Sequence, residues 1–335
     1  MFSLTLRQEW LKIWVTCEGE FDAGGSLASI TQAWWTGFDK EASATNRSST
    51  MNEYEIVDTN ADNIGDCGVC RYKSDKNEGR RRKLDWLKKH YAEGLRFKVL
   101  RSREFGDIGM IEYAPGSHAW RPVEAEGYLV IHCLMVDSEH QGKGLGALLL
   151  DSCLRDAKKS KCRGVAVVTS SDSFMAASDL FIKVGFVSVD RIPPYELLVK
   201  KLKKGAPDPR FIVERERALK RYKKGLTILA ADQCPMVAKC VKDIAEASRA
   251  LGLKTKVVRV RSAKRSRELP TPYGVFSIVY DGKLIVERPV SGTRFKNIMS
   301  KNAERPDRTQ LRQGRSGRRS RRSGSSLTLD IGTEQ

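Results

Sequence analysis

The stretch that most constrains the fold runs from Tyr128 to Thr169, YLVIHCLMVDSEHQGKGLGALLLDSCLRDAKKSKCRGVAVVT. Its apolar start, Tyr128 to Val136, predicts a buried strand, and the segment Gln141, Gly142, Lys143, Gly144, Leu145 and Gly146 predicts a glycine-rich loop. An amphipathic helix to about Lys159 and a buried strand at Val165 to Thr169 follow. A strand feeding a glycine loop that opens a helix is an anion cradle. The glycines let main chain approach a ligand closely, the first helical amides have no partner within the helix, and the helix dipole adds partial positive charge. Three cofactor types use such a cradle. The residue order of a P-loop is absent. The dinucleotide fingerprint is formally matched by Gly142, Gly144 and Ala147, yet Asp137 to Gln141 separate the strand from the first glycine. The downstream acid, Asp172, falls in a serine-rich loop.

The third spacing fits. Gln141, Gly144 and Gly146 resemble the acyl-coenzyme A site of the GNAT N-acetyltransferase superfamily, whose pattern is Gln or Arg, two residues, Gly, one residue, Gly or Ala. Val136 precedes the loop at that family's usual distance, and LFIKVGF (Leu180 to Phe186) resembles its helix-to-strand junction. The resemblance covers about residues 52–203. It implies an α/β fold with a mixed sheet and an enzyme that moves an acetyl group from acetyl-CoA to a primary amine. It implies further that the main chain of Leu134, Met135 and Val136 pairs with the pantetheine arm. The amides of Gln141, Gly142, Lys143, Gly144, Leu145 and Gly146 would hold the diphosphate, with Lys143 adding charge.

Acetyl transfer needs the acceptor ammonium to lose a proton and is helped by an acid for the departing thiolate. The resemblance implies a carboxylate base on the central strand, where this chain has Val130. His132 follows on the same face, and its ordinary pKa near 6.5 suits proton removal at neutral pH. A satisfied core histidine is the competing reading. Glu126, Glu112 and Tyr113 are reserve candidates. The tyrosine acid that the resemblance implies is replaced by Phe181, which has no proton to give, leaving Tyr195, Cys133 or an unassisted departure. The same substitution keeps open a non-catalytic acyl-CoA-binding or protein-interaction module.

Around this centre, 335 residues suggest two domains plus tails. Residues 1–50 carry Trp10, Trp14, Trp34 and Trp35, with Met1 to Val15 weakly amphipathic; they read as a disordered or non-native extension, with Met51 as an alternative start. Cys67 and Cys70 form a lone CxxC, and His90, His118, His132 and His140 lack complementary spacing, so no metal site is expected. Arg80 to Gly94 predicts a helix, Phe97 to Leu100 and Gly109 to Tyr113 strands, and Ser171 to Val184 another helix. Two strands, Phe186 to Asp190 and Tyr195 to Val199, close the domain. Residues 204–224 read as a basic linker, helical from about Pro209.

Beyond the linker the pattern restarts with a strand at Leu226 to Ala231, a helix opened by Cys234 and Pro235 and ending near Leu251, and a strand at Lys256 to Arg261. A hairpin turning at Asp281 and Gly282 follows. This order resembles a thioredoxin-like fold over residues 225–300, and with the upstream domain the CPM and PYGVFS segments resemble the YoaP-like family. Dithiol exchange would need a cysteine at position 237, which is Val. Cys234 remains as a single reactive thiol at a helix start, where the dipole lowers its pKa, or as part of a non-catalytic module. Cys240 lies about 240° further round the helix.

The net charge is +19, and thirteen of those units fall in residues 200–225 and 301–335. The second of these segments is rich in Gly, Ser and Arg and reads as a disordered tail. The basic runs leave nucleic acid as a secondary partner, testable by salt dependence. No run of about eighteen apolar residues argues for a membrane span. Eight irregularly spaced cysteines do not form a secreted disulfide framework, and Met1 to Glu20 lacks a signal pattern, so a cytoplasmic setting is expected. The sequence leaves the acceptor and the oligomeric state open.

Overall fold

The computed structural model describes residues 53–172 and 175–303. The tryptophan-rich segment, the alternative start at Met51 and the basic tail after residue 303 lie outside the described residues. In chain order the elements are β1 (Tyr54–Asp58), α1 (Glu78–His90), β2 (Arg96–Ser102), β3 (Gly106–Pro115), β4 (Val123–Glu124), β5 (Tyr128–Val136), α2 (Leu145–Lys159), β6 (Gly164–Ser170), α3 (Ser178–Lys183), β7 (Val187–Ile192) and β8 (Tyr195–Lys201). There follow β9 (Arg210–Phe211), α4 (Arg215–Leu219), β10 (Leu226–Ala231), α5 (Met236–Ala250), β11 (Thr255–Val260), α6 (Ala263–Arg267), β12 (Phe276–Tyr280), β13 (Lys283–Val286) and α7 (Gly292–Ala303).

A seven-stranded sheet has the order β1-β2-β3-β5-β6-β8-β7. Antiparallel hairpins form its arms, and β5 and β6 run parallel at its centre, joined by α2 as the crossover. Both central strands are uniformly apolar where they pair because the sheet is covered on both faces. Leu149, Leu150, Cys153 and Ala157 of α2 are buried at helical spacing. α1 supplies Leu84, Trp86 and Leu87; Asn77 caps it by accepting the Arg80 amide at 3.0 Å, and Gly94 in the left-handed region stops the 3₁₀ turn that follows it.

A second sheet has the order β11-β10-β12-β13. β10 and β11 are parallel with α5 between them, β12 runs antiparallel to β10, and the hairpin to β13 turns at Asp281 and Gly282 as expected. Apolar residues of both sheets, from Ile64 to Met299, form one continuous core. α1 packs against α5. A β-carbon on Gly79 would lie 2.0 Å from the Pro235 carbonyl oxygen, so only glycine allows α1 to approach the turn before α5 this closely.

Three expected segments differ. The helix expected over 171–184 begins only at Ser178, because the Ser171 amide bonds the Pro194 carbonyl and Ala177 is extended. The linker is not helical from Pro209: Phe211 is buried, its amide donates to Asp190 (2.7 Å), and Arg210–Phe211 pairs with Val123–Glu124, leaving a single helical turn at α4. Order also continues past residue 300, since α7 buries Phe295 and Met299 against α5 and runs to Ala303.

Candidate active site

The site begins with an irregularity in β5. Against β3, Glu112 faces Cys133 while Tyr113 faces Ile131, so His132 is an extra residue in the ladder. Such a bulge bends its strand. Pairing with β6 ends at Ile131 and Val167, and past the bulge Leu134, Met135 and Val136 keep their β3 partners while their other edge has left the sheet. The two parallel strands therefore splay and leave a row of main-chain groups for an extended ligand to pair with.

The glycine loop closes the far end of this splay. Gln141 is pinned by its amide nitrogen, which donates to the Val136 carbonyl at 2.9 Å. Gly144 occupies the cap position of α2 with φ 76°, in the left-handed region, and contributes no capping side chain. The first amides of α2 therefore stay uncapped, as an anion site requires. Gly146 lies against Leu180: a β-carbon there would come within 3.1 Å of that side chain. Lys143 is exposed and lies outside the cleft wall, whereas Arg71 and Lys183 line it.

Splay and loop open into one cleft of about 1050 Å³, at the upper limit of the usual size of ligand and cofactor sites. Beyond the bulge its wall holds Cys70, Arg121, His132 and Cys133, and the second sheet's connections contribute Gln233, Cys234 and Tyr273. Buried polar groups here form a linked set. The Glu112 carboxylate bonds Lys83, the His132 Nδ1 (3.1 Å) and the Gln233 amide nitrogen (2.8 Å). Burial pushes the Glu112 carboxyl up, but the Lys83 ammonium and the His132 bond outweigh it and hold the group at about 2. The Trp120 amide donates to His132 Nε2 at 3.0 Å, which fixes the ring proton on Nδ1 facing Glu112. Burial holds His132 down at about 4 despite the carboxylate. Its ring is thus neutral at pH 7, with both nitrogens engaged.

Of the expected bases, only His132 lines the cleft. The Tyr113 hydroxyl donates to Asp156 of α2 at 2.5 Å, and burial raises its pKa further. Glu126 is exposed in the turn before β5. Phe181 is buried against Phe186 and lines the cleft. Tyr195 bonds the Glu287 carbonyl outside it, and Cys133 faces Cys70, whose thiol bonds it and lowers its pKa. Cys234 does not follow the expected dipole effect: burial raises its pKa more than the Met236 amide lowers it. Sequence reasoning missed Gln233, Tyr273 and the site position of Arg121. Each reaches the cleft by long-range packing that no local pattern encodes.

Comparison with known proteins places this geometry. Residues 71–186 match the model of the acetyltransferase (GNAT) family. They form a GNAT acetyltransferase domain, and the chain is an N-acetyltransferase. Among curated proteins it is similar to the uncharacterized N-acetyltransferase YoaP of Bacillus subtilis (strain 168), with 27% identity over 252 residues, 73% of this chain and 98% of that one. Among solved structures it is similar to yncA of Salmonella typhimurium, solved with acetyl-CoA, at 16% identity, covering 47% of this chain and 98% of that one with a TM-score of 0.35. It is also similar to a GNAT-family acetyltransferase of Staphylococcus aureus Mu50, at 15% identity, covering 45% and 99% with a TM-score of 0.34. Among the described residues no helix is long and apolar enough to cross a membrane.

Proposed function

We propose that the chain transfers the acetyl group of acetyl-CoA to a primary amine bound in the cleft beyond the His132 bulge. The observation that carries this reading is the separation of β5 from β6 after Ile131, beside an uncapped helix start at Gly144. The diphosphate sits on the amides between Gln141 and Gly146, within reach of Arg71 and Lys183. The pantetheine arm runs along Leu134, Met135 and Val136 as an added strand. Its thioester carbonyl is polarised by main-chain donors at the splay.

The amine reaches this point unprotonated, having lost its proton to water in the cleft. His132 is the expected base that lies nearest, but its ring is bonded on both sides and is a weak base at neutral pH. It serves instead as a positioning residue, tying Glu112 to the Trp120 main chain. The departing thiolate takes a proton from a phenol, Tyr72 or Tyr273, both of which line the cleft, and the proton that the amine nitrogen sheds as the amide forms restores that phenol. Residues 52–203 act as the catalytic domain and 225–300 as a thioredoxin-like domain, for which the β10-α5-β11-α6-β12-β13-α7 order is the support. With Val at 237, that domain shapes the acceptor pocket and does no dithiol exchange. The seven free cysteines of the described residues suit a cytoplasmic setting.

Calorimetry with CoA and acetyl-CoA, paired with release of free thiol from acetyl-CoA in the presence of an amine panel, tests the reading. Binding in the micromolar range and amine-dependent release are expected. The pH–rate profile should follow each acceptor's own ammonium pKa and show no group near 6.5. No heat from either coenzyme form would remove the reading.

A further inference from the structure

Arg121 sits in the wall of the cleft at 1% exposure. Its Nη1 donates to the Trp120 carbonyl at 2.9 Å, its Nη2 to the His132 carbonyl, and its Nε is buried with no partner among the described residues. The guanidinium lies over the Tyr273 ring, 5.3 Å from its centre. A guanidinium carries five N–H donors, so these two bonds leave most of its donating capacity unused. More telling is the charge. Among the described residues Arg121 is in no ion pair, and the nearby carboxylate, Glu112, is engaged with Lys83, His132 and Gln233. Lys83 and Glu112 cancel and His132 is neutral. One buried positive charge is left over, facing the cleft.

A buried charge without a counter-ion is costly, and two carbonyl dipoles offset it only in part. The coenzyme's diphosphate does not supply the missing anion. Arg121 is anchored to the carbonyl of His132, and the four residues from there to Val136 span roughly 13 Å of extended strand, with the phosphate loop further still. The anion must come with the other substrate.

Resting on the acetyltransferase reading, we infer that the acceptor is an amine that also bears an oxyanion, with an amino acid carboxylate as the simplest case, and that Arg121 binds that oxyanion. The planar fork of a guanidinium matches a carboxylate through two parallel N–H bonds. Seating the carboxylate there turns the attached amine toward the splay where the thioester lies. Tyr273, from the connection that leads into β12 of the second sheet, holds the guanidinium face, so the acceptor pocket is complete only with both sheets present.

The experiment measures thiol release from acetyl-CoA by the full chain with matched acceptors: amino acids of differing side chains, their primary amides, and the corresponding decarboxylated amines. Each acid should exceed its own amide at least tenfold in kcat/KM. Arg121→Met should collapse the acid-to-amide ratio towards one, and Arg121→Lys should restore part of it, with CoA affinity by calorimetry unchanged in both. Amides used as well as their acids by the wild type, or a ratio that Arg121→Met leaves intact, overturns the inference. Should the variant fail to fold, the wild-type ratio decides alone. Should no panel amine react, calorimetry of N-acetylglycine against N-acetylglycinamide on the CoA-loaded protein decides, with equal or absent binding overturning it. The acetyltransferase reading itself fails differently, by absence of coenzyme binding.

Discussion

The two ends of the cleft are built on opposite principles. At the proposed coenzyme end the groups on offer are main-chain amides and carbonyls between Leu134 and Gly146, and the side chains matter by being absent, as at Gly144. At the proposed acceptor end the groups on offer are the buried side chains of Lys83, Glu112, His132 and Gln233, bonded to one another across more than a hundred residues of chain, with Arg121 held on the His132 carbonyl. One end can be altered only through backbone conformation. The other can be altered only at the cost of a buried polar group.

That contrast predicts which changes hurt what. Lys83→Met leaves Glu112 buried without its cation and should destabilise the fold by about 3–5 kcal/mol in urea titration. The protein that remains folded should still bind CoA. A next-largest effect should appear with acid. His132 stays neutral in the fold down to about 4, whereas the unfolded chain takes up that proton near 6.5. The unfolded state therefore holds more protons in this window, and stability should fall by up to about 3 kcal/mol as pH drops through it. Glu112, held at about 2, adds a further loss as pH falls from the ordinary carboxylate range towards 2. Urea midpoints from pH 7.5 to 4 should show this slope in the wild type, and His132→Asn should flatten it.

At the coenzyme end, Gly144→Ala meets no neighbouring atom within 4 Å but must hold φ 76°, a strain of roughly 1–2 kcal/mol. Coenzyme affinity should weaken about tenfold, with the acid-to-amide preference among acceptors untouched. Gln233→Leu removes one bond to Glu112 and should cost about 1 kcal/mol. It should raise acceptor KM more than coenzyme KM, and equal changes would break the division between the ends. Smallest is Lys143→Ala: an exposed charge outside the cleft wall, which should shift coenzyme KM less than about threefold and only at low salt.

How much was legible follows the same division. The bounds of β5 and the end of α2 were readable because a strand of continuous apolar residues and an amphipathic stripe are local patterns. The hairpin at Asp281–Gly282 was readable for the same reason. The linker was misjudged because its charges suggested a solvated helix, while the feature that decided its path was one buried phenylalanine, Phe211, and the Asp190 carboxylate waiting for its amide. The continuation of α7 past residue 300 was hidden by a shift to basic composition that begins before the helix ends. At the site, His132 had two readings from sequence, and its bonds to Glu112 and the Trp120 amide match the satisfied one.

The sequence by itself determined the class of chemistry, because gripping a diphosphate with main chain demands glycines at fixed spacing, and spacing is what a sequence records. Only the tertiary structure decided what lines the other end of the cleft. The charge state of Arg121, the bonds of His132 and the arrival of Gln233 and Tyr273 depend on which groups share a dry environment, and that is set by the packing of two sheets far apart in the chain.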